Sequence, residues 1–167
     1  MARMVRGSLQ VLAYAAFATA LGFFSERPAY TYLQPDRAVI KLSVDQYGRH
    51  VGKCRRRTPA ELAALPEYDR VPVVCPRRRY PVRVALRLDG RLLYDRTRAP
   101  AGLHHDGLSY IYARFVVPAG RHRLQVSLWD DGPRAAPARA RAMEITLRPA
   151  QVFVIEFSSR HGVFVFR

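Results

Sequence analysis

The chain has 167 residues and a formal net charge of +15, and only Lys41 and Lys53 of its many cationic side chains are lysines. This length predicts a single domain that buries a real core. Charge of this sign leaves three usual classes of partner, which are nucleic acid, an anionic membrane surface and an acidic protein. GC-rich coding bias also produces arginine with alanine, so the clustering of the arginines is more informative than their number.

The N-terminus predicts export. Arg3 and Arg6 precede an apolar run over residues 9–24, which is the layout of an export signal or a signal anchor. Ala18-Thr19-Ala20 is an acceptable cleavage site, so removal of a signal peptide stays open. The run outlasts that site, and residues 5–24 are long enough to span a bilayer. We therefore predict a retained transmembrane signal anchor over residues 1–24, with Arg3 and Arg6 on the cytoplasmic side.

A polar segment follows the anchor. Residues 25–37 contain Pro28 and Pro35 and predict an extended tether, with Tyr30 and Tyr32 at the depth of an aromatic belt. Residues 38–167 are then expected to form one domain on the periplasmic side of the cytoplasmic membrane.

Alternating apolar and polar residues predict many short strands in that domain. The first covers Ala38 to Asp45, and Arg49 to Cys54 is interpreted as a short return strand. Asp89-Gly90 is a favoured two-residue hairpin turn. Further strands are predicted at residues 71–75, 82–88, 91–97, 108–117, 122–129, 142–147, 152–157 and 163–167. About eight to ten strands at this spacing predict an all-β, immunoglobulin-like β-sandwich.

Two turn-containing stretches carry a family resemblance. Residues 88–94 (LDGRLLY) and residues 117–124 (VPAGRHRL) together resemble the hairpin pattern of PEGA-like and carboxypeptidase regulatory-like β-sandwich modules. The likeness covers less than a third of the chain. It implies a β-sandwich fold and a non-catalytic role in attachment or interaction.

Each cysteine precedes a run of three arginines, in Cys54-Arg55-Arg56-Arg57 and in Cys75-Pro76-Arg77-Arg78-Arg79. Export and an even count favour a Cys54–Cys75 disulfide, whereas two unpaired buried thiols are the alternative. A metal site is disfavoured because two thiols supply too few ligands. Between the cysteines, Thr58, Pro59 and Glu61 match the start of a capped helix, so one short helix is expected inside the closed loop.

No motif of a catalytic or cofactor site is present in the sequence. His104-His105-Asp106 offers two imidazoles and a carboxylate to a metal, but an exposed loop is the preferred interpretation. Asp130-Asp131 lacks the alternating oxygen ligands of a calcium loop. Tyr110 and Tyr112 share a strand face with Arg114 and could stack on sugars or bases, although packing of this face under a loop or against the neighbours of the anchor is preferred. We therefore predict a protein that is not an enzyme and that has no cofactor or metal.

The arginine triplets give the functional prediction. An acidic membrane-protein subunit or anionic lipid head groups are the expected partners, and a solvated charged face is the alternative. Nucleic acid is not expected, because the domain is exported.

The predicted function is that of an accessory or assembly subunit of a larger membrane complex, such as a respiratory complex. A soluble exported binding module for carbohydrate or cell-envelope polymer, after signal-peptide removal, is the alternative function. The predicted contacts are Arg55, Arg56, Arg57, Arg77, Arg78 and Arg79.

Overall fold

The computed structural model of the chain describes residues 2–27, 33–132 and 136–167. The chain divides into two compact units between Gln34 and Pro35. Of the predicted tether, Pro28, Tyr30 and Tyr32 lie outside the described residues, as does the side chain of Arg3.

The described residues of the first unit contain one apolar helix, α1 (Ala2–Glu26). By length and composition its segment Val5–Glu26 could cross a membrane, a property that a signal sequence shares. Two polar side chains in the apolar run find partners on the helix itself. The Thr19 hydroxyl donates to the Ala15 carbonyl oxygen at 2.7 Å, and the Gln10 amide donates to the Tyr14 hydroxyl at 3.2 Å. Such internal partners lower the cost of placing polar groups in lipid.

The second unit is mostly β, and its described residues contain ten strands. In chain order, with two short helices between the second and third strands, the elements are β1 (Arg37–Gln46), β2 (Arg55–Arg56), α2 (Pro59–Ala63), a 3-10 helix (Glu67–Asp69), β3 (Val73–Val74), β4 (Val82–Leu88), β5 (Arg91–Arg98), β6 (Ser109–Pro118), β7 (Gly120–Trp129), β8 (Arg139–Leu147), β9 (Val152–Ser158) and β10 (Phe164–Phe166).

One predicted strand is wrong. Residues 49–54 form no strand and make one isolated bridge, between His50 and Arg79. Gly52 has a φ of 108°, which takes the backbone out of the extended conformation that a strand needs. The apolar residue Val51 therefore does not mark a return strand after β1.

The strands form two four-stranded sheets and a small ribbon. The first sheet has the order β10-β9-β1-β6, the second sheet has the order β5-β4-β7-β8, and the ribbon pairs β2 with β3. In the first sheet, β1 is antiparallel to β6 and parallel to β9. Three segments that are far apart in sequence therefore lie side by side.

Most buried apolar side chains of the two four-stranded sheets belong to one hydrophobic cluster. Ile40 and Leu42 of β1 are fully buried with Leu86 of β4, Leu124 of β7 and Phe157 of β9. Complete burial of one such side chain stabilises a fold by about 1.5–3 kcal/mol. The prediction of a mostly β fold with an apolar N-terminal helix and one short α-helix is confirmed.

The predicted hairpin between β4 and β5 is also confirmed. Asp89 and Gly90 have φ values of 52° and 80°, as the favoured two-residue turn requires. The Asp89 carboxylate ties this turn to β7, because it accepts the Arg123 backbone N–H at 2.8 Å and lies 2.7 Å from His122 Nδ1. The hydrogen bond to His122, followed by that from Arg123, lowers the pKa of Asp89 below its ordinary value.

Candidate functional site

The two cysteines form a disulfide, as predicted, with their Cα atoms 4.2 Å apart. Beside it, β2 and β3 pair in the register Arg55 to Val74 and Arg56 to Val73. We call residues 54–79 the disulfide arm. The disulfide lies between the two arginine triplets along the arm, because Arg55 and Arg56 pair with β3 on one side of it and Arg79 bridges to His50 on the other.

The short helix α2 has the cap that the sequence predicts. The Thr58 hydroxyl accepts the Glu61 backbone N–H at 3.3 Å, and the Glu61 carboxylate accepts the Thr58 backbone N–H at 2.7 Å. Pro59 occupies the first turn. The bond from Thr58 contributes most to lowering the pKa of Glu61, and the bond from Arg55 contributes next. α2 contains no buried residue, so the disulfide and the cap hold it rather than a core of its own.

Two of the six arginines pair with carboxylates. Arg55 Nη1 lies 2.9 and 3.1 Å from the two carboxylate oxygens of Glu61. Arg77 donates from Nε and Nη2 to Asp106 Oδ2, at 3.0 and 2.8 Å. The hydrogen bond from Arg77 is the main cause of the lowered pKa of Asp106. These two positive charges are therefore largely compensated within the domain.

Two further arginines are held by backbone carbonyl groups. Arg57 Nη1 donates to the carbonyl oxygens of Asp69 and Val71 at 3.0 and 3.1 Å. Arg79 donates to the carbonyl oxygens of Asp106 and Gly48 at 3.1 and 2.9 Å. The Arg79 guanidinium also lies over the Tyr47 ring, 4.8 Å from its centroid. Both arginines are half-buried and fix the fold of the arm and its base.

Arg56 and Arg78 differ from the other four. Both side chains are exposed, and neither makes a hydrogen bond or ion pair within the described part of the chain. The structure thus divides the six predicted contacts into four with intramolecular partners and two without. The sequence gives no sign of this division, because all six belong to similar triplets.

The base of the arm is attached to the rest of the domain by close backbone contacts. His50 Nδ1 lies 2.6 Å from the Pro76 carbonyl oxygen, and Val51 N donates to the Arg78 carbonyl oxygen at 2.8 Å. A Cβ added at Gly48 would overlap the carbonyl oxygen of Tyr80. Gly48 is therefore required at this position, because only a residue without a side chain permits this approach.

The candidate metal-ligating residues do not come together. The carboxylate of Asp106 is engaged by Arg77, and His105 Nδ1 lies 3.4 Å from the Pro100 carbonyl oxygen. Within residues 2–27, 33–132 and 136–167, no group of three or more His, Cys, Asp or Glu side chains is placed to hold a metal ion.

A second feature, which the sequence did not predict as a site, is a cleft of about 820 Å³ on the outer face of the first sheet. Tyr110 borders it and Tyr112 follows two residues further along β6, and these side chains are 63% and 67% exposed. These tyrosines therefore do not pack under a loop within the described part of the chain, and the prediction of such packing is wrong. The lining comes from β1, β6, β9 and the segments next to them, and it includes Ser43, Asp45, Tyr47, Glu156, Ser158 and His161.

Comparison of the chain with protein families, with curated protein sequences and with solved structures finds no match. The functional argument consequently depends on the geometry of the chain itself.

Proposed function

We propose that the chain is a non-catalytic, single-pass membrane protein whose β domain lies outside the cytoplasmic membrane and binds an acidic partner through the disulfide arm. Two observations carry this proposal. The disulfide joins the two segments that contain the arginine triplets, and Arg56 and Arg78 are exposed without side-chain partners in the described structure. An accessory or assembly subunit of a larger membrane complex fits this design.

Intramolecular stability is a weak reason for collecting so many guanidinium groups. The Arg55–Glu61 ion pair is exposed, so water screens it and it contributes little to stability, and neighbouring like charges repel each other. Binding is a better reason, because the planar guanidinium makes two hydrogen bonds to one carboxylate or phosphate and tolerates desolvation better than lysine. Within the described residues, the guanidinium groups of Arg56 and Arg78 make no such hydrogen bonds, so both can make them to a partner.

Two features taken together support the proposed membrane location. α1 contains a segment that is apolar and long enough for a bilayer, and a disulfide persists in an oxidising compartment such as the periplasm. The positive-inside rule puts Arg3 and Arg6 in the cytoplasm. The proposal takes the two four-stranded sheets as an immunoglobulin-like β-sandwich, and the likeness to PEGA-like modules supports a non-catalytic role.

A soluble exported binding module is the second candidate function, and the cleft bordered by the exposed Tyr110 favours it. The fate of the N-terminus separates the two. Intact-mass analysis of the protein isolated from membranes should give the full chain. A mature chain that begins near Leu21 would instead support the soluble module.

Co-purification tests the arm. We would compare the double variant Arg56→Gln/Arg78→Gln with a matched control, Arg91→Gln/Arg98→Gln, which removes two exposed arginines of β5. After mild solubilisation of membranes, the arm variant should release its partner at moderate salt, whereas the control and the original chain should retain it. Thermal stability should be the same in all three. Equal retention by both variants would show that the arm is only a charged surface.

A further inference from the structure

Two rows of side chains cross the outer face of the first sheet beneath the cleft. The strand register aligns Ser158 of β9, Asp45 of β1 and Tyr110 of β6 in one row. The next row contains the corresponding residues two positions away, which are Glu156, Ser43 and Tyr112. Each row therefore contains a serine hydroxyl, a carboxylate and a tyrosine, with the serine and the carboxylate exchanged between β9 and β1 from one row to the next. The cleft volume of about 820 Å³ falls within the range of roughly 300–1,000 Å³ that is typical of small-molecule sites.

The carboxylates in these rows keep most of their capacity to accept hydrogen bonds. Within the described residues, the Asp45 side chain receives one long hydrogen bond, from the Ser158 hydroxyl at 3.4 Å. Glu156 makes a single long ion pair, with Arg167 at 3.8 Å. An ionised carboxylate has about four acceptor positions, so both groups can bind hydroxyl donors of a ligand.

The charges around the cleft point to an uncharged ligand. Arg160 lines the cleft with Asp45 and Glu156, Arg167 lies beside Glu156, and the Arg79 guanidinium lies over the lining residue Tyr47, so the cleft combines positive and negative groups. A strongly cationic or anionic ligand would gain little from such a site, because attraction and repulsion nearly cancel. A neutral ligand with many hydroxyl groups uses the carboxylates as acceptors without this cancellation.

The aromatic side chains indicate that the ligand also has an apolar face. Tyr110 presents a largely exposed ring at one side of the cleft, and Tyr47 lines the same cleft. Aromatic rings bury apolar surface while their hydroxyl groups stay in water, which suits the C–H face of a pyranose ring. Stacking on a tyrosine next to a carboxylate then allows hydroxyl groups at the edge of the sugar to donate to the carboxylate.

Arg79 connects this cleft to the disulfide arm. Its guanidinium stacks on Tyr47 and donates to the carbonyl oxygen of Gly48, so the arm fixes one wall of the cleft. Arg79 is a positioning residue here, since it does not line the cleft itself.

We propose that the outer face of the first sheet binds a neutral saccharide chain, with Tyr110 as the stacking platform and with Asp45 and Glu156 as hydrogen-bond acceptors. The site is separate from Arg56 and Arg78 and does not depend on the proposed docking function.

The test is calorimetric titration of the full chain in a detergent without a sugar head group, such as a polyoxyethylene ether, with cellohexaose, maltohexaose and N-acetylchitohexaose as probes. At least one probe should bind saturably. Tyr110→Ala should weaken that binding about tenfold or more, and Asp45→Asn and Glu156→Gln should each weaken it. Arg79→Gln should weaken the same binding through Tyr47, whereas Arg78→Gln should leave it unchanged.

The matched control is Tyr68→Ala, which removes another tyrosine, 84% exposed, from the disulfide arm and should leave binding unchanged. The proposal is overturned if none of the three hexasaccharides binds, or if Tyr110→Ala binds as tightly as the original chain. Octalysine serves as a cationic competitor. If octalysine binds at Tyr110 and the saccharides do not, the cleft recognises basic peptides and the saccharide assignment is wrong.

Discussion

At the scale of single residues, arginines with the same sequence context have different roles. Arg55 contacts Glu61, six positions away, and this local pairing is of a kind that a capped helix suggests. Arg77 contacts Asp106, 29 positions away, and Arg79 contacts the carbonyl oxygen of Gly48. Neither of these contacts could be predicted from the triplets, because both depend on how distant segments meet. Only the structure distinguishes Arg78 from its two neighbours.

Arg79 and Arg78 therefore give a matched pair of substitutions. Arg79→Gln removes the donors to the carbonyl oxygens of Asp106 and Gly48 in a half-buried setting, which should reduce the free energy of unfolding by about 1–3 kcal/mol. Arg78→Gln alters an exposed side chain and should change it by less than about 0.5 kcal/mol. Denaturant unfolding monitored by circular dichroism measures both values. Equal effects would contradict the structural role of Arg79.

At the scale of elements, local signals were predicted well and distant pairings were not. The Asp89-Gly90 hairpin and the capped helix α2 depend on residues within a few positions of each other, and both were correct. The parallel pairing of β1 with β9 joins residues more than a hundred positions apart and left no local signal. The cleft was missed for the same reason, since its rows require β1, β6 and β9 to be neighbours.

The β4–β5 turn predicts a pH dependence. Hydrogen bonds lower the pKa of Asp89 in the folded chain, so folding favours its ionised form. This stabilisation is complete above the unfolded pKa of about 3.9 and is lost as the pH falls through the lower folded value. Asp89→Asn should therefore lower the melting temperature at pH 6 and should flatten its decline between pH 5 and pH 2.

Thermal unfolding across that pH range, with Asp36→Asn as an exposed control, measures this effect. Parallel curves for the original chain and Asp89→Asn would show that the contacts of Asp89 with His122 and Arg123 do not stabilise the fold.

The disulfide arm should behave as a separate unit of local stability. Closing a loop of this length stabilises a chain by about 3 kcal/mol in the loop-entropy description, and α2 has no buried residue to compensate for its loss. Replacing Cys54 and Cys75 by serine should therefore increase amide hydrogen exchange over residues 55–75, while β1 and β7 stay protected. Exchange measured by mass spectrometry tests this. Loss of protection in β1 and β7 as well would mean that the arm is part of the central folding unit.

At the scale of the whole molecule, the sequence predicted the kinds of parts but not how their surfaces are used. An apolar helix, a mostly β domain and a disulfide-closed loop were all expected and are present. Hydrophobic periodicity and turn chemistry carry this information, because they are properties of short segments. The use of the surface depends on which exposed groups remain after folding, as Arg56 and Tyr110 illustrate.

The central claim is that the arm of a membrane-anchored chain contacts an acidic partner, and site-specific photo-crosslinking in intact membranes tests it most directly. A photoreactive residue at Lys53, which is exposed next to Cys54, leaves all six arginines in place, and the same residue at Arg91 of β5 is the control. The account predicts a crosslink from position 53 to an acidic membrane protein, identified by mass, that is absent from position 91. Crosslinks to lipid alone, equal crosslinks at both positions, or none at position 53 would contradict it.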